Sequence, residues 1–225
     1  MIEGFPSVGL ASAIAGTYIV GCLKLDQIAA IDSARFPSVS IISAEKPEFP
    51  ARIYASEEHK IAVCLSEFTM PADLDVSIAR SILSWSREEK CSLVISSCGL
   101  PVTEHDNQDT IIFGVGSNEH TRLKLKSAGI TPMDSGLVPG ITGALLNEGK
   151  LSNINVAGLL FELHPEIPDA RVVAGIVETI TKLMPQLHLD LTPLHQDVNK
   201  VQDRLKTMTQ QTSELNTSPR PSPYA

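Results

Sequence analysis

Short runs of β-branched and other apolar residues alternate with helical patterns along the first 190 residues of the chain. This alternation is typical of a sheet covered by helices. Two runs, "LVIS" and "VAGLLF", are apolar at consecutive positions, which indicates strands buried on both faces. We therefore predict an α/β fold with a central mixed sheet flanked by helices. The predicted strands are Ile28–Ile31, Val39–Ser43, Arg52–Ala55, Ile61–Ser66, Leu93–Cys98, Thr110–Val115 and Asn155–Phe161.

Two segments carry the apolar spacing of helices that cover a sheet. The first, Pro71–Glu89, places one stripe toward the sheet at steps of four, four and three: Leu74, Ile78, Ile82 and Trp85. The second begins at Pro168-Asp169, because proline and an acid suit a first helical turn, and it ends at Pro185. Its predicted inward face comprises Val172, Val173, Ile176, Val177, Ile180 and Leu183.

The apolar run Val8–Leu23 is shorter than a comfortable membrane span and is interrupted by small or polar residues: Ser12, Gly16, Thr17 and Gly21. Small residues suit a packed core helix, so we expect no membrane partner. No basic region precedes this run, as a secretory signal would require. The chain begins almost inside its first strand, which leaves two alternatives, a short strand or a start upstream of Met1.

A heptad pattern follows Pro185. Apolar residues alternate at steps of four and three, and Thr192-Pro193 is a suitable helix start, so we predict a helix from Pro193 to about Gln211. This seam either lies on its own domain or pairs with a second copy; its narrowness favours self-association. The seam comprises Leu187, Leu191, Leu194, Val198, Val201, Leu205 and Met208, of which the last five are the predicted oligomerisation residues.

The predicted organisation is an α/β domain over residues 1–190, an amphipathic helix over 191–211 and a disordered tail over 212–225. The tail is rich in Ser, Thr, Asn and Pro, which cannot bury enough apolar surface to fold. A net charge of -8 argues against a nucleic-acid partner. The four cysteines form no C-x-x-C pair, and three lie in apolar runs; this usage fits reduced, buried thiols and a cytoplasmic protein.

Two glycine-rich segments are candidates for a cleft, "GFPSVG" at 4–9 and "GLVPGITG" at 136–143. Each precedes a helix, where backbone donors bind anions, yet neither has dinucleotide-fold or P-loop spacing, and close helix–strand packing explains them equally well. Glu162 and His164 follow a buried strand, where the active-site loops of α/β folds lie. The candidate cleft residues are Gly4, Phe5, Pro6, Gly9, Gly136, Gly140, Gly143, Glu162 and His164.

Catalytic and metal-binding patterns are weak in this sequence. There is no G-x-S-x-G element and no cysteine beside a histidine. The cluster 104–106, Glu-His-Asp, is better explained as a solvated turn than as an acid/base group. His188, Asp190 and His195 follow no zinc spacing. We expect neither a catalytic residue, a metal nor a cofactor.

Several blocks, in this order, resemble the archaeal proteasome assembly chaperone family (PAC2-like). They are "EGFPSVGLASAIAGTYIV", "FPSVSIIS", "GVGSNEHTRLKLKSAGITPMDSGLVPGITGALLNEGKL" and "GLLFELHPEIPDARVVAGIVETITKLM", and they span roughly residues 1–190. Ser7 stands where the family commonly has glycine, and Ala170 comes early in the Pro-Asp-x-x-Ala helix start.

The resemblance implies a fold similar to that of nucleoside phosphorylases, without their catalytic residues, in a homo-oligomer that helps build the 20S proteasome. Such chaperones engage the α-subunit ring through a C-terminal hydrophobic-Tyr-any (HbYX) motif, which Pro223-Tyr224-Ala225 matches here, with proline in the hydrophobic place. The alternatives are an ATP-grasp-like carboligase and a nucleotide- or nucleoside-binding protein.

Overall fold

The computed structural model describes residues 1–43, 45–101, 111–163, 170–187 and 189, together with 203, 206 and 207. Its strands are β1 Ile2–Gly4, β2 Asp26–Ile31, β3 Ile41–Ser43, β4 Lys46–Glu48, β5 Ala51–Ser56, β6 Ile61–Ser66, β7 Val94–Pro101, β8 Ile112–Gly116, β9 Thr131–Pro132 and β10 Val156–Leu163. Its helices are α1 Ala11–Cys22, α2 Asp75–Glu88, α3 Glu119–Ser127, α4 Gly140–Ser152 and α5 Ala170–Leu183.

Eight strands form one mixed sheet in the order β2-β5-β6-β1-β7-β10-β8-β9. The four central strands, β6, β1, β7 and β10, run parallel, whereas β5 and β8 join them antiparallel. The predicted α/β fold with a mixed central sheet is therefore confirmed. The continuous apolar runs "LVIS" and "VAGLLF" lie in or next to β7 and β10 at its centre, because a strand covered on both faces must be apolar on both.

Helices cover both faces of the sheet, and consecutive residues of the central strands point into different cores. Ile95 and Ala157 lie in the core that includes α1 and α5, whereas Val94 and Val156 lie in the core that includes α2 and α4. This is the two-residue alternation of a pleated strand. The central strands therefore lie between the two cores.

Helix α1 confirms the predicted core helix. A Cβ atom added to Gly16 would lie 2.5 Å from Leu65 Cδ2 and 3.4 Å from the Cα of Gly4, so glycine at both positions lets α1 lie directly on β1 and β6. No helix among the described residues is both long and apolar enough to cross a bilayer.

The other two predicted helices form largely as expected. Helix α2 follows a turn of 3-10 helix, Ala72–Leu74. Leu74 of that turn is buried, as are Ile78 and Ile82 of the helix. Trp85 is predicted on the same stripe but is only half buried, because it lines an open pocket together with Lys90 and Pro185. All six residues predicted for the inward face of α5 are buried; its predicted start, Pro168-Asp169, lies outside the described residues.

Two details of the sheet differ from the sequence prediction. The run Val39–Ser43 gives only the strand β3, which pairs with β4 in a separate hairpin instead of joining the central sheet. The short strands β4 and β9 contain proline and no apolar alternation, so nothing in their pattern predicts them. Arg52 of β5 is ion-paired with both Glu48 of β4 and Glu67, which ties the hairpin to the sheet.

All four cysteines are free thiols, as predicted. Cys64 and Cys98 are buried, but Cys22 is exposed and Cys91 is half buried. The prediction of buried thiols is therefore correct for only two of the four. Cys22 ends α1 and Cys91 follows the end of α2, where helix ends approach solvent.

Candidate functional site

A cavity of about 250 Å³ opens at the carboxyl ends of β1 and β7. The turn after β1, the end of β7 and the starts of α2 and α4 contribute its lining. The connections that leave β1 and β7 lead to strands on opposite sides of the sheet. Such a switch point is where open α/β sheets bind ligands. This space is called the β1–β7 cavity below.

A buried carboxyl group, that of Glu3, lies at the floor of the cavity and is only 2% exposed. The Phe5 backbone N–H donates to Glu3 Oε1 at 2.6 Å, and Ser96 Oγ donates to Glu3 Oε2 at 2.5 Å. Ser96 Oγ is in turn 2.7 Å from Thr142 Oγ1 in the first turn of α4. The three side chains thus link β1, β7 and α4.

Burial is the main cause of an abnormal pKa at Glu3. Desolvation raises the pKa of this carboxyl to about 7, against the hydrogen bonds from Ser96 and Phe5, which lower it; the charge of Asp75 raises it further. Around neutral pH the group therefore exchanges between its charged and neutral forms.

Asp75 brings a second carboxyl group to the cavity wall. It is the first residue of α2 and is half buried, and desolvation raises its pKa. Among the described residues its carboxyl group has no hydrogen-bond or ion-pair partner. The cavity is thus lined by two desolvated carboxyl groups, and none of its described lining residues is basic.

The cysteine at the cavity is not activated as a nucleophile. Burial first, and then the charge of Glu3, raise the pKa of Cys98 to about 11. Its thiol is therefore protonated at neutral pH, whereas a nucleophilic cysteine needs a lowered pKa. Within the described part of the chain, no group of three or more His, Cys, Asp or Glu side chains is placed to hold a metal ion.

The structure brings some of the predicted cleft residues together. Phe5, Pro6 and Gly140 line the β1–β7 cavity. Gly9 lies in the 3-10 turn Val8–Leu10 that follows them. Glu162 lies near the end of β10 and is not among the described lining residues, and His164 lies outside the described part of the chain.

The other predicted glycines serve close packing. Gly4 meets Gly16 and Leu65, as described above, and a Cβ atom at Gly143 would lie 2.1 Å from the carbonyl oxygen of Val138. Gly136 adopts a φ of 154°, in which a side chain would be strained. The packing interpretation of these segments therefore has direct support.

Glu3, Asp75, Ser96 and Thr142 are the site residues that the sequence analysis missed. A lone acid between Ile2 and Gly4 in an apolar strand was the available signal for Glu3. Asp75 and Ser96 stand in segments identified only as helix and strand.

The predicted oligomerisation residues Leu194, Val198, Val201, Leu205 and Met208 lie outside the described residues, as do Pro223, Tyr224 and Ala225. So do the 104–106 cluster, His188, Asp190 and His195. Within the predicted helix, the described residues Asp203, Lys206 and Thr207 are helical, and Thr207 Oγ1 donates to the Asp203 carbonyl oxygen at 2.9 Å.

The chain is similar to several solved structures and to one curated protein sequence. Pyrococcus furiosus PbaA, described as an archaeal homolog of proteasome-assembly chaperone, is 28% identical, with a TM-score of 0.85 over 96% of this chain and 93% of its own. P. furiosus PbaB, described as an archaeal proteasome activator, is 22% identical, with a TM-score of 0.73 over 92% and 91% of the two chains, and shows the shared fold.

An uncharacterized protein of Methanocaldococcus jannaschii is 24% identical over 211 residues, which cover 94% of this chain and 85% of that protein. The sequence model of the PAC2 family matches residues 1–209, nearly the whole length of the chain. The chain therefore belongs to the PAC2 family.

Proposed function

We propose that this protein is a proteasome assembly chaperone or proteasome-binding factor that docks its C-terminal tail between 20S α subunits as a homo-oligomer. The observation that carries the proposal is the likeness to PbaA, a homolog of proteasome-assembly chaperone, over 96% of the chain at 28% identity. A role at the 20S particle implies a cytoplasmic location.

The proposed anchor is Pro223-Tyr224-Ala225. Prolines at 219, 221 and 223 remove backbone donors and favour an extended, semi-stiff arm, which lets the last residues reach a pocket away from the folded domain. The carboxylate of Ala225 would pair with a lysine of the partner while the ring of Tyr224 fills the adjacent slot.

The chemistry of the β1–β7 cavity also supports a non-catalytic role. Both carboxyl oxygens of Glu3 accept hydrogen bonds from within the protein, and the thiol of Cys98 is protonated at neutral pH. A carboligase would have to bind the phosphates of ATP, for which the described lining supplies no Lys or Arg. We therefore expect no binding heat when ATP and Mg²⁺ are titrated into the protein.

A binding measurement with purified 20S particles tests the proposal. Tyr224→Ala, and removal of residues 223–225, should each weaken binding at least tenfold because the anchor is lost. Ser222→Ala alters the same arm without touching the anchor and should bind like the unmodified chain. Equal melting temperatures of all four proteins show that the fold is intact. Binding that survives loss of the last three residues refutes tail docking.

The similarity of this fold to nucleoside phosphorylases stays a prediction. A nucleoside-binding protein would retain a pocket for a purine nucleoside, and titration of adenosine and guanosine into the same preparation tests that alternative directly.

A further inference from the structure

We propose that the β1–β7 cavity is a binding site for a small organic cation, an ammonium group carried on a short apolar body. The proposal is independent of the C-terminal tail. It rests on the charges, the walls and the size of the cavity.

The charges favour a cation. Glu3 and Asp75 both line the cavity. The carboxyl group of Glu3 is buried, and Asp75 is half buried. Two carboxyl groups that share a low-dielectric space disfavour each other's ionisation, and a positive ligand between them stabilises both charged forms. No described lining residue is basic, so the charged side chains of the lining favour a cation over an anion.

The two carboxyl groups differ in what they offer. Glu3 is already held by Phe5 and Ser96, so it contributes charge and a fixed floor. The carboxyl group of Asp75 has no partner among the described residues, so its oxygens are available to accept hydrogen bonds from an incoming N–H group. Asp75 is therefore the group that a ligand ammonium would contact.

The walls favour an organic ligand over a metal ion. Most of the lining is apolar and includes Phe5, Met70 and Ile141. A hard metal ion is bound largely by carboxylates, and no three His, Cys, Asp or Glu side chains of the described residues are placed to hold one. An aromatic ring and aliphatic side chains instead match a hydrocarbon body, and an aromatic face also attracts a cation.

The size limits the ligand. A cavity of about 250 Å³ is slightly smaller than the roughly 300 to 1,000 Å³ of typical small-molecule pockets, so it suits a small ligand. 2-Phenylethylamine, with an ammonium group and one aromatic ring, suits this space. 2-Phenylethanol has nearly the same shape without the charge and is its matched neutral control.

The test is calorimetric titration of both compounds into the full chain at pH 7.5 in about 150 mM salt, where exposed charges are largely screened. The amine should bind at least tenfold more tightly than the alcohol and should raise the melting temperature. Equal affinity of the two compounds, or no measurable binding of the amine, overturns the proposal.

Three variants locate the site. Asp75→Asn keeps the shape of the side chain and should weaken amine binding at least tenfold. Asp73→Asn removes an acid two positions earlier, outside the described lining, and should change the affinity less than twofold. Ala72→Phe places bulk at an exposed position of the cavity rim and should block binding without disturbing the core. If Asp75→Asn binds as the unmodified chain does, the assignment is wrong.

Discussion

Ser96 Oγ donates a hydrogen bond of 2.5 Å to Glu3 Oε2, joining two parallel neighbouring strands through side chains that are both fully buried. Strands β1 and β7 are already paired through their backbones, so this contact does not create the pairing. It holds a carboxyl group where the protein interior opposes its ionisation. Burial destabilises the charged form of this carboxyl more than the hydrogen bonds from Ser96 and Phe5 stabilise it.

The Glu3 carboxyl should make stability depend on pH. Its pKa in the folded protein is about 7, raised from 4.5, so between these values the folded state keeps a proton that the unfolded state releases. Stability from this group is present below pH 4.5 and falls as pH rises to 7, by about 2 to 3 kcal/mol at 1.36 kcal/mol per pKa unit. The measurement is the free energy of unfolding by urea at pH 4.5 and 7.5.

Glu3→Gln provides the comparison because glutamine can accept from Phe5 N–H and donate to Ser96 Oγ without titrating. The variant should gain stability relative to the original chain as pH rises through this window. Glu58→Gln, at an exposed position, should show no such gain. A constant stability difference between the Glu3→Gln variant and the original chain at both pH values would contradict the prediction.

Arg52 should be essential to stability. Its side chain is 4% exposed and is ion-paired with Glu48 and Glu67, and its guanidinium lies 5.7 Å from the centre of the Tyr54 ring. Arg52→Met leaves two acids near an apolar interior without their cation, which should cost about 3 to 5 kcal/mol in urea unfolding.

The control is Arg35→Met, which removes the cation of the Arg35–Asp73 pair. Both side chains of that pair are more than half exposed, so the loss should be about 0 to 1 kcal/mol. If the two variants lost similar amounts of unfolding free energy, burial would not explain how much the Arg52 ion pairs contribute to stability.

Two helical glycines should respond oppositely to alanine. The Cβ atom of Gly143→Ala would lie 2.1 Å from the Val138 carbonyl oxygen, so the loop before α4 must move, at a cost of about 1 to 3 kcal/mol. Gly21→Ala in α1 meets nothing within 4 Å and should stabilise by about 0.5 to 1 kcal/mol through helix propensity. Thermal unfolding of both variants measures the difference. If Gly143→Ala left the melting temperature unchanged, the loop before α4 would move at little cost in stability.

The layers of this fold could be predicted from the sequence, whereas the residues that meet at the β1–β7 cavity could not. Helix α5 was predictable because its buried residues recur with helical spacing, and β7 and β10 because their apolar runs are continuous. These are local patterns. The contact between Glu3 and Ser96 joins positions 93 residues apart, and Thr142 comes from a third element. No local pattern encodes such a meeting, since it depends on strand order and register.

Family resemblance supplied what periodicity could not. The PAC2 relationship was predicted from four blocks, of which 3–20 and 114–151 contain the glycine segments 4–9 and 136–143, and the family model confirms it over residues 1–209. The same glycine blocks suggested a cleft, but Gly4 and Gly143 contact neighbouring protein atoms instead. A small residue next to a helix start marks close approach, and the approaching group can be the protein itself as readily as a ligand.

The heptad residues should set the oligomeric state and, through it, the affinity for the 20S particle. Val201→Asp with Leu205→Asp puts two charges into the predicted seam, which opposes helix pairing. Sedimentation equilibrium should then show a smaller species. Because several tails on one oligomer raise each other's effective concentration, 20S binding should weaken roughly 100-fold or more although every tail is intact. The control Gln202→Asp introduces an aspartate outside the seam. It should change neither the oligomeric state nor the affinity for the 20S particle. An unchanged oligomer in the double variant would assign the seam to contacts within one chain, the alternative that the sequence left open.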